Sequence, residues 1–280
     1  MARQESLLKF TGKLGNVIGY RNKKEYLLRS ASATVRQTSA TKRAAKDFGI
    51  ASKAGRLIRH TLSEHLQHSY DSSLTNRLNK VLGEIVRADD SHKAGLRVPT
   101  AANMQSLRSF QFNSHASIQH LLAGTPVIEN NDDGGIGISF PETAINNNKG
   151  THIIIKAIAL SVNFAQQTTR QLVSETVVIR CGEKQILPTL TLNPERKDLT
   201  LILLEVQSCY EVNGELHLCQ NKKGSALDVI AVLPPVEQSS AIKSKRRNKA
   251  PKLRIIPSYV QPARRSGNML PVAFSSLPEG

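Results

Sequence analysis

Between Ser39 and His68, apolar residues recur at steps of three and four: Ala44, Phe48, Ala51, Gly55, Ile58, Leu62 and Leu66. That spacing gathers them on one face and predicts a long amphipathic helix. Lys42, Arg43, Lys46, Lys53, Arg56 and Arg59 fill most of the remaining surface of its first half, so the outer face is basic. After the break at Tyr70-Asp71-Ser72-Ser73 a second helix is predicted, with Leu74, Leu78, Val81, Leu82, Ile85 and Val86 as its buried stripe. The pair reads as a helical hairpin within a helical region spanning 39–100.

From 151 to 235 the pattern changes to short runs rich in Val, Ile, Leu and Thr, punctuated by Gly, Pro and Asn. Strands are predicted over 152–164, 172–180, 185–192, 199–212, 215–220 and 226–233. The simplest arrangement is an antiparallel β-sandwich of immunoglobulin-like size. One hairpin allows its register to be argued. A two-residue turn at Asn213-Gly214 sets Tyr210 and Val212 across from His217 and Glu215. A three-residue loop sets them on the face of Leu216 and Leu218 instead, and brings Cys209 and Cys219 to a common face; apolar matching favours it.

The flanking regions are less regular. Residues 1–38 form a predicted extended or hairpin-like arm with Gly12, Gly15 and Gly19, expected to become ordered on a partner. Residues 101–150 are a mixed connecting region. It contains Phe110-Gln111-Phe112, which alternates like a short strand joining the β-rich part, and a short helix candidate over 117–122. Residues 236–280, rich in Ser, Lys, Arg, Asn and Pro, are predicted to be a disordered basic tail, because low hydrophobicity cannot offset ordering entropy. The expected fold class is α+β.

Charge then changes the picture. The formal net charge is +16, and residues 1–60 hold 14 Lys and Arg against 3 acids, while 241–280 hold 9 against 1. The intervening residues are close to neutral. Two basic ends point to a polyanion partner, nucleic acid first, because clustered cations gain free energy by releasing condensed counterions. The expected nucleic-acid contacts are Arg29, Arg36, Lys42, Arg43, Lys46, Lys53, Arg56 and Arg59, with Lys245, Arg246 and Arg247 in the tail. Thr34, Gln37, Thr38, Ser39 and Thr41 supply the hydroxyls and amides that position phosphates. Aromatics make up only 4% and Trp is absent, so phosphate contact is favoured over base stacking.

Enzyme and cofactor signatures are weak. The Gly12-Lys13-Leu14-Gly15-Asn16-Val17-Ile18-Gly19 segment lacks the Gly-Lys-Ser/Thr ending of a phosphate-binding loop and the buried strand that precedes a dinucleotide fingerprint. Turns and close backbone approach explain its glycines. His60, His65 and His68 do not have zinc-helix spacing. Asp89-Asp90 with His92 reads as a capping or turn element, and the Asn/Asp/Gly run over 130–135 as a polar turn rather than a calcium loop. Cys181, Cys209 and Cys219 form no Cys-x-x-Cys pair, and two reduced thiols are expected at 209 and 219. No signal peptide, lipidation signal or apolar run of membrane-span length is present, so a soluble, cytoplasmic, non-enzymatic protein is expected, with no cofactor, metal, membrane or small-molecule substrate.

The Gly12–Tyr20 segment, Lys24, Arg29 and the Phe110-Gln111-Phe112-Asn113 segment resemble a family of uncharacterised Bacteroidota proteins. In that family a Gly-Lys-x-Gly-Asn segment precedes a basic arm and helices, and a β-rich half follows. Ser30-Ala31-Ser32 departs from the proline expected after Arg29. The resemblance implies the order of the regions and carries no activity. The leading expectation is a polyanion-binding or scaffold protein; the alternative is an assembly module, possible as a homo-oligomer, built on the sandwich and the arm.

Overall fold

A computed structural model describes residues 2–5, 9–23, 25–32, 36–67, 71–122, 124–131, 134–140, 143–144, 150–182, 184–185 and 187–236. The chain divides into two compact units, Met1–Gln238 and Ser239–Gly280, and the second lies outside the described residues. Of the predicted tail over 236–280, Val236 is described, its amide donating to Arg196 O at 2.9 Å; the rest, with Lys245, Arg246 and Arg247, lies outside the described residues.

The chain opens with β1 (Ala2–Arg3), β2 (Gly12–Leu14), β3 (Val17–Asn22) and β4 (Glu25–Ser30), an antiparallel sheet in the order β1-β4-β3-β2. The predicted arm is therefore a hairpin meander. Its interior is polar. The Gln4 side chain donates to Phe10 O at 3.0 Å and Leu27 O at 3.1 Å and accepts from Phe10 N at 3.0 Å. Gly19 makes this close packing possible, since a Cβ there would lie 2.5 Å from Phe10 O. Gly15, at φ +59°, turns β2 into β3. The glycines thus do what turns and close approach require.

Next come α1 (Ser39–Thr61), α2 (Ser63–Leu66) and α3 (Leu74–Arg87). Thr38 caps α1 by accepting from Thr41 N at 3.2 Å, and Arg59 and His60 sit in its last turn, where cations favour the helix dipole. Ala51, Ala54, Gly55 and Ile58 are buried, and the small residues let α1 approach α3 closely. The predicted stripe fails at its start: Ala44 is exposed and Phe48 is 64% exposed, because the first turns of α1 lie outside the main core. On α3 the predicted stripe is buried at Leu74, Leu78, Leu82, Ile85 and Val86, with Val81 partly so.

A 3₁₀ turn at Asn103–Leu107 leads to α4 (Ile118–Leu121). The predicted Phe110-Gln111-Phe112 strand runs antiparallel beside the last described strand: Phe112 N donates to Leu227 O at 2.9 Å and Val229 N to Phe110 O at 2.9 Å. Asn113 is fully buried and donates to Lys222 O and Ser225 O, both at 2.6 Å.

The remaining strands are β5 (Val127–Asn130), β6 (Ile136–Ser139), β7 (Thr143–Ala144), β8 (His152–Asn163), β9 (Thr168–Val173), β10 (Val177–Arg180), β11 (Lys184–Gln185), β12 (Leu190–Leu192), β13 (Leu199–Val212), β14 (Glu215–Leu218) and β15 (Ser225–Leu233). Long antiparallel β8 and β13 form the centre, paired from Val162–Leu199 to His152–Cys209. β9 and β10 share the outer edge of β8; β15 and β14 share that of β13. The single strand predicted over 172–180 is divided because Ser174 bonds Ala157 through both its amide and its hydroxyl, passing the pairing from β9 to β10. The run over 185–192 is divided at Pro188, which has no amide donor for a ladder.

Alternation along β8 and β13 separates two cores. Ile158, Leu160, Val162, Leu199, Leu201 and Leu203 join the helices, whereas Ile153, Ile155, Ala157, Ile202, Leu204 and Val206 join β6 and β12. The architecture is α+β with antiparallel sheets dominant.

The expected three-residue loop at the β13–β14 hairpin is not formed. Val212 pairs with Glu215 and Tyr210 with His217 across a two-residue Asn213-Gly214 turn. Both turn residues have positive φ, +54° and +80°, matching the turn whose twist suits two strands. Apolar matching had no force, since Tyr210, Val212 and Leu216 are all more than 40% exposed. Cys209 therefore faces Leu218, not Cys219, and no disulfide joins the three cysteines.

Candidate functional site: a basic helix face and the cleft beside it

At 100° per residue, positions 42, 46, 53, 56 and 60 lie within about 40° of one line along α1. Its buried residues lie on the opposite side, so core packing turns Lys53, Arg56 and His60 outward, and Lys42 and Lys46 continue their line in the first turns, where all of 39–46 is exposed. All five are exposed. The row extends about 27 Å at 1.5 Å per residue. None of its lysines and arginines forms an ion pair among the described residues.

The other expected contacts are dispersed. Arg43 is exposed but off this line, its stem against Gly95, where an added Cβ would lie 3.1 Å from Arg43 Cγ. Arg59 is half-buried and already engaged, donating to Gly55 O at 3.1 Å and Thr75 Oγ1 at 2.8 Å. Arg29 is exposed on β4 opposite Ile18, and Arg36 is exposed in the segment leading into α1.

The C-terminal half of the row borders a cleft of about 940 Å³. Ile50, Ala54 and Leu57 form one wall, Val98, Pro99 and Ala101 a second, and Val162, Phe164, Leu199 and Pro235 the sheet side. Lys197 and Asp198 lie on the far rim. His60 and Lys197 were absent from the expected contacts; His60 was legible four residues after Arg56, whereas Lys197 arrives only through the fold.

Other polar groups are spent internally. Arg77 of α3 donates to Asp71 at 2.8 Å, Gln111 O at 2.7 Å and Phe112 O at 3.1 Å, and stacks 5.4 Å from the Phe110 ring. Burial acts to raise the Asp71 carboxyl, but the Ser73 amide, the Ser114 and Ser73 hydroxyls and Arg77 together hold it well below the usual range. Asp89 organises a turn, as expected, accepting from Val98 N and Ser91 N at 2.9 Å and contacting His92 at 2.7 Å. Those bonds, the Val98 amide first, lower its pKa to about 2.

His65 has both ring nitrogens engaged: Nδ1 with the buried Glu205 at 2.7 Å and Nε2 with the Gln171 amide at 2.7 Å. The consistent tautomer accepts from Gln171 and donates to Glu205, leaving no nitrogen for substrate. Burial and the neighbouring Cys181 push the Cys209 thiol up, away from thiolate chemistry. Asp228 was missed by sequence reasoning. Its Oδ2 accepts from Ile118 N at 2.9 Å, its buried Oδ1 has no partner among the described residues, and burial raises its pKa to about 6.

No family model, curated protein or solved structure matches the chain. Among the described residues no group of three or more His, Cys, Asp or Glu is arranged to hold a metal ion, and no helix is long and apolar enough to cross a membrane.

Proposed function

We propose that this protein binds a polyanion, nucleic acid, as a non-enzymatic binding or scaffold protein, with α1 as its principal contact. The observation that carries this reading is the row of outward cations without acidic partners among the described residues, opposite the face α1 buries. Arg29, Arg36 and the basic C-terminal segment extend the positive surface in sequence. We read the β-rich body as a sandwich that supports this helix; the second core, shared with β6 and β12, favours that reading. The absence of disulfides among the cysteines fits a reducing, cytoplasmic setting.

The test is salt-dependent binding to duplex DNA and RNA. Four phosphates neutralised by Lys42, Lys46, Lys53 and Arg56 give a log–log slope of about −4 on duplex DNA, and Lys42→Glu/Lys46→Glu/Lys53→Glu reduces it by about 3. Salt-independent affinity overturns the proposal.

An assembly role is the second reading. It is favoured by the exposed edge strand β2, whose Leu14 is 67% exposed, in an arm whose described residues contribute to neither core cluster. Oligomers that dissociate when residues 1–32 are deleted, with no nucleic-acid retention in either form, would replace the first reading with this one.

A further inference from the structure

We infer that the cleft beside α1 binds small amphipathic anions, with the anionic head at Lys53, Arg56 and His60 and the apolar body against the end of the large sheet. The cleft is within the size range of ligand sites, and its walls are mainly aliphatic side chains, proline and Phe164. An aqueous groove lined this way gains most by receiving apolar surface.

The polar groups on its sheet side are already committed. Asn163 Nδ2 donates to Asp198 Oδ1 at 2.8 Å, Asn163 Oδ1 accepts from Gln166 N at 3.0 Å, and Gln167 Nε2 donates to Phe164 O at 2.7 Å. Lys197 is paired with Glu195 at 2.9 Å. Those bonds leave little on that wall to orient a polar ligand, and the Asp198 carboxylate repels an anionic head there.

On the opposite rim the situation reverses. Lys53, Arg56 and His60 follow one another at i, i+3 and i+7, all exposed, spanning about 10 Å of helix. Neither Lys53 nor Arg56 has an acidic partner among the described residues. One edge of an apolar cleft thus offers uncommitted donors of positive charge while the other offers a satisfied, partly negative surface. That polarity selects a ligand charged at one end and apolar along the rest. It disfavours a long-chain cation, whose head meets like charge on the α1 side and, on the other, only the Asp198 carboxylate that already accepts from Asn163.

The test uses three probes with the same ten-carbon chain, decyl phosphate, decanol and decylamine, titrated by calorimetry into the full chain below micelle-forming concentrations. Decyl phosphate is expected to bind about tenfold more tightly than decanol, and decylamine most weakly. Lys53→Glu/Arg56→Glu should abolish the preference for phosphate while retaining decanol binding. Ala165→Trp, at an exposed position on the cleft wall, should weaken all three, with circular dichroism confirming the fold. Lys42→Glu/Lys46→Glu lies outside the cleft and should leave decyl phosphate binding unchanged while weakening DNA binding. Equal affinity for the three heads, no decyl phosphate binding, or binding indifferent to Ala165→Trp overturns the inference. None of these results removes the polyanion reading, which fails if DNA binding is absent or insensitive to salt.

Discussion

Helices α1 and α3 pack against each other and both carry cations, but they use them differently. On α3, Arg77 is consumed: it ties Asp71, Ser73 and two carbonyls of the 111–112 segment into one cluster. On α1, Lys42, Lys46, Lys53 and Arg56 are exposed and form no ion pair among the described residues, and Arg43 is exposed with its stem against Gly95. The difference shows that basic residues cannot be assigned to binding by charge alone. A guanidinium aimed at carbonyls and a buried carboxylate is part of the fold, whereas an unspent one is available to a ligand.

The sharpest way to break this comparison is Arg77→Ala. It removes the partner of a buried carboxylate and uncovers two carbonyls, so unfolding free energy should fall by about 2–3 kcal/mol in urea titrations. The pH dependence should change as well. The folded Asp71 pKa is depressed, so its contribution is present above the unfolded value near 4 and is lost as pH falls below it. Arg77→Ala should therefore flatten the acid limb of the stability curve. Unchanged stability would mean Arg77 is no more structural than Lys53.

Packing between the helices gives the next effect. A Cβ at Gly55 would lie 2.5 Å from Asn79 Oδ1 and 3.2 Å from Leu82 Cδ1, whereas Gly49 on the outer face has nothing within 4 Å. Gly55→Leu is expected to cost about 2 kcal/mol and Gly49→Ala to stabilise by up to about 1 kcal/mol. Equal effects would deny that α1 has distinct inner and outer faces.

Asp228 sharpens the contrast between committed and uncommitted charge inside the body. Burial raises its folded pKa to about 6, so the native state holds the proton more tightly than the unfolded chain. Stability should fall as pH rises from about 4 to about 6, and Asp228→Asn should remove that fall, a gain of about 1–3 kcal/mol at pH 7.5. A pH-independent difference between the two proteins would contradict this assignment.

The smallest expected stability effect belongs to the outer face of α1. Lys42→Glu/Lys46→Glu/Lys53→Glu should shift unfolding free energy by no more than about 0.5 kcal/mol, whereas the proposed function predicts that it lowers DNA affinity. A large loss of stability would place these lysines in the same structural role as Arg77.

The sequence by itself determined elements whose signal is local. β13 occupies the predicted 199–212 span because its run of apolar and β-branched residues ends at Asn213-Gly214, and α3 keeps its stripe because a 3.6-residue period has one buried solution. The basic outer face of α1 was legible for the same reason. Tertiary structure alone decided which polar groups are spent and where apolar residues stop being covered. Phe48 fits the period of α1 yet lies beyond the core; Arg59 points toward Thr75 while Arg56 faces the cleft. The clamp at Arg77, the bond from the Ile118 amide to Asp228 Oδ2 and the pairing of Asn163 with Asp198 join residues from 6 to 110 positions apart. Periodicity fixes the direction in which a side chain leaves its own helix or strand; its partner is set by whichever distant segment the packing of two cores brings alongside.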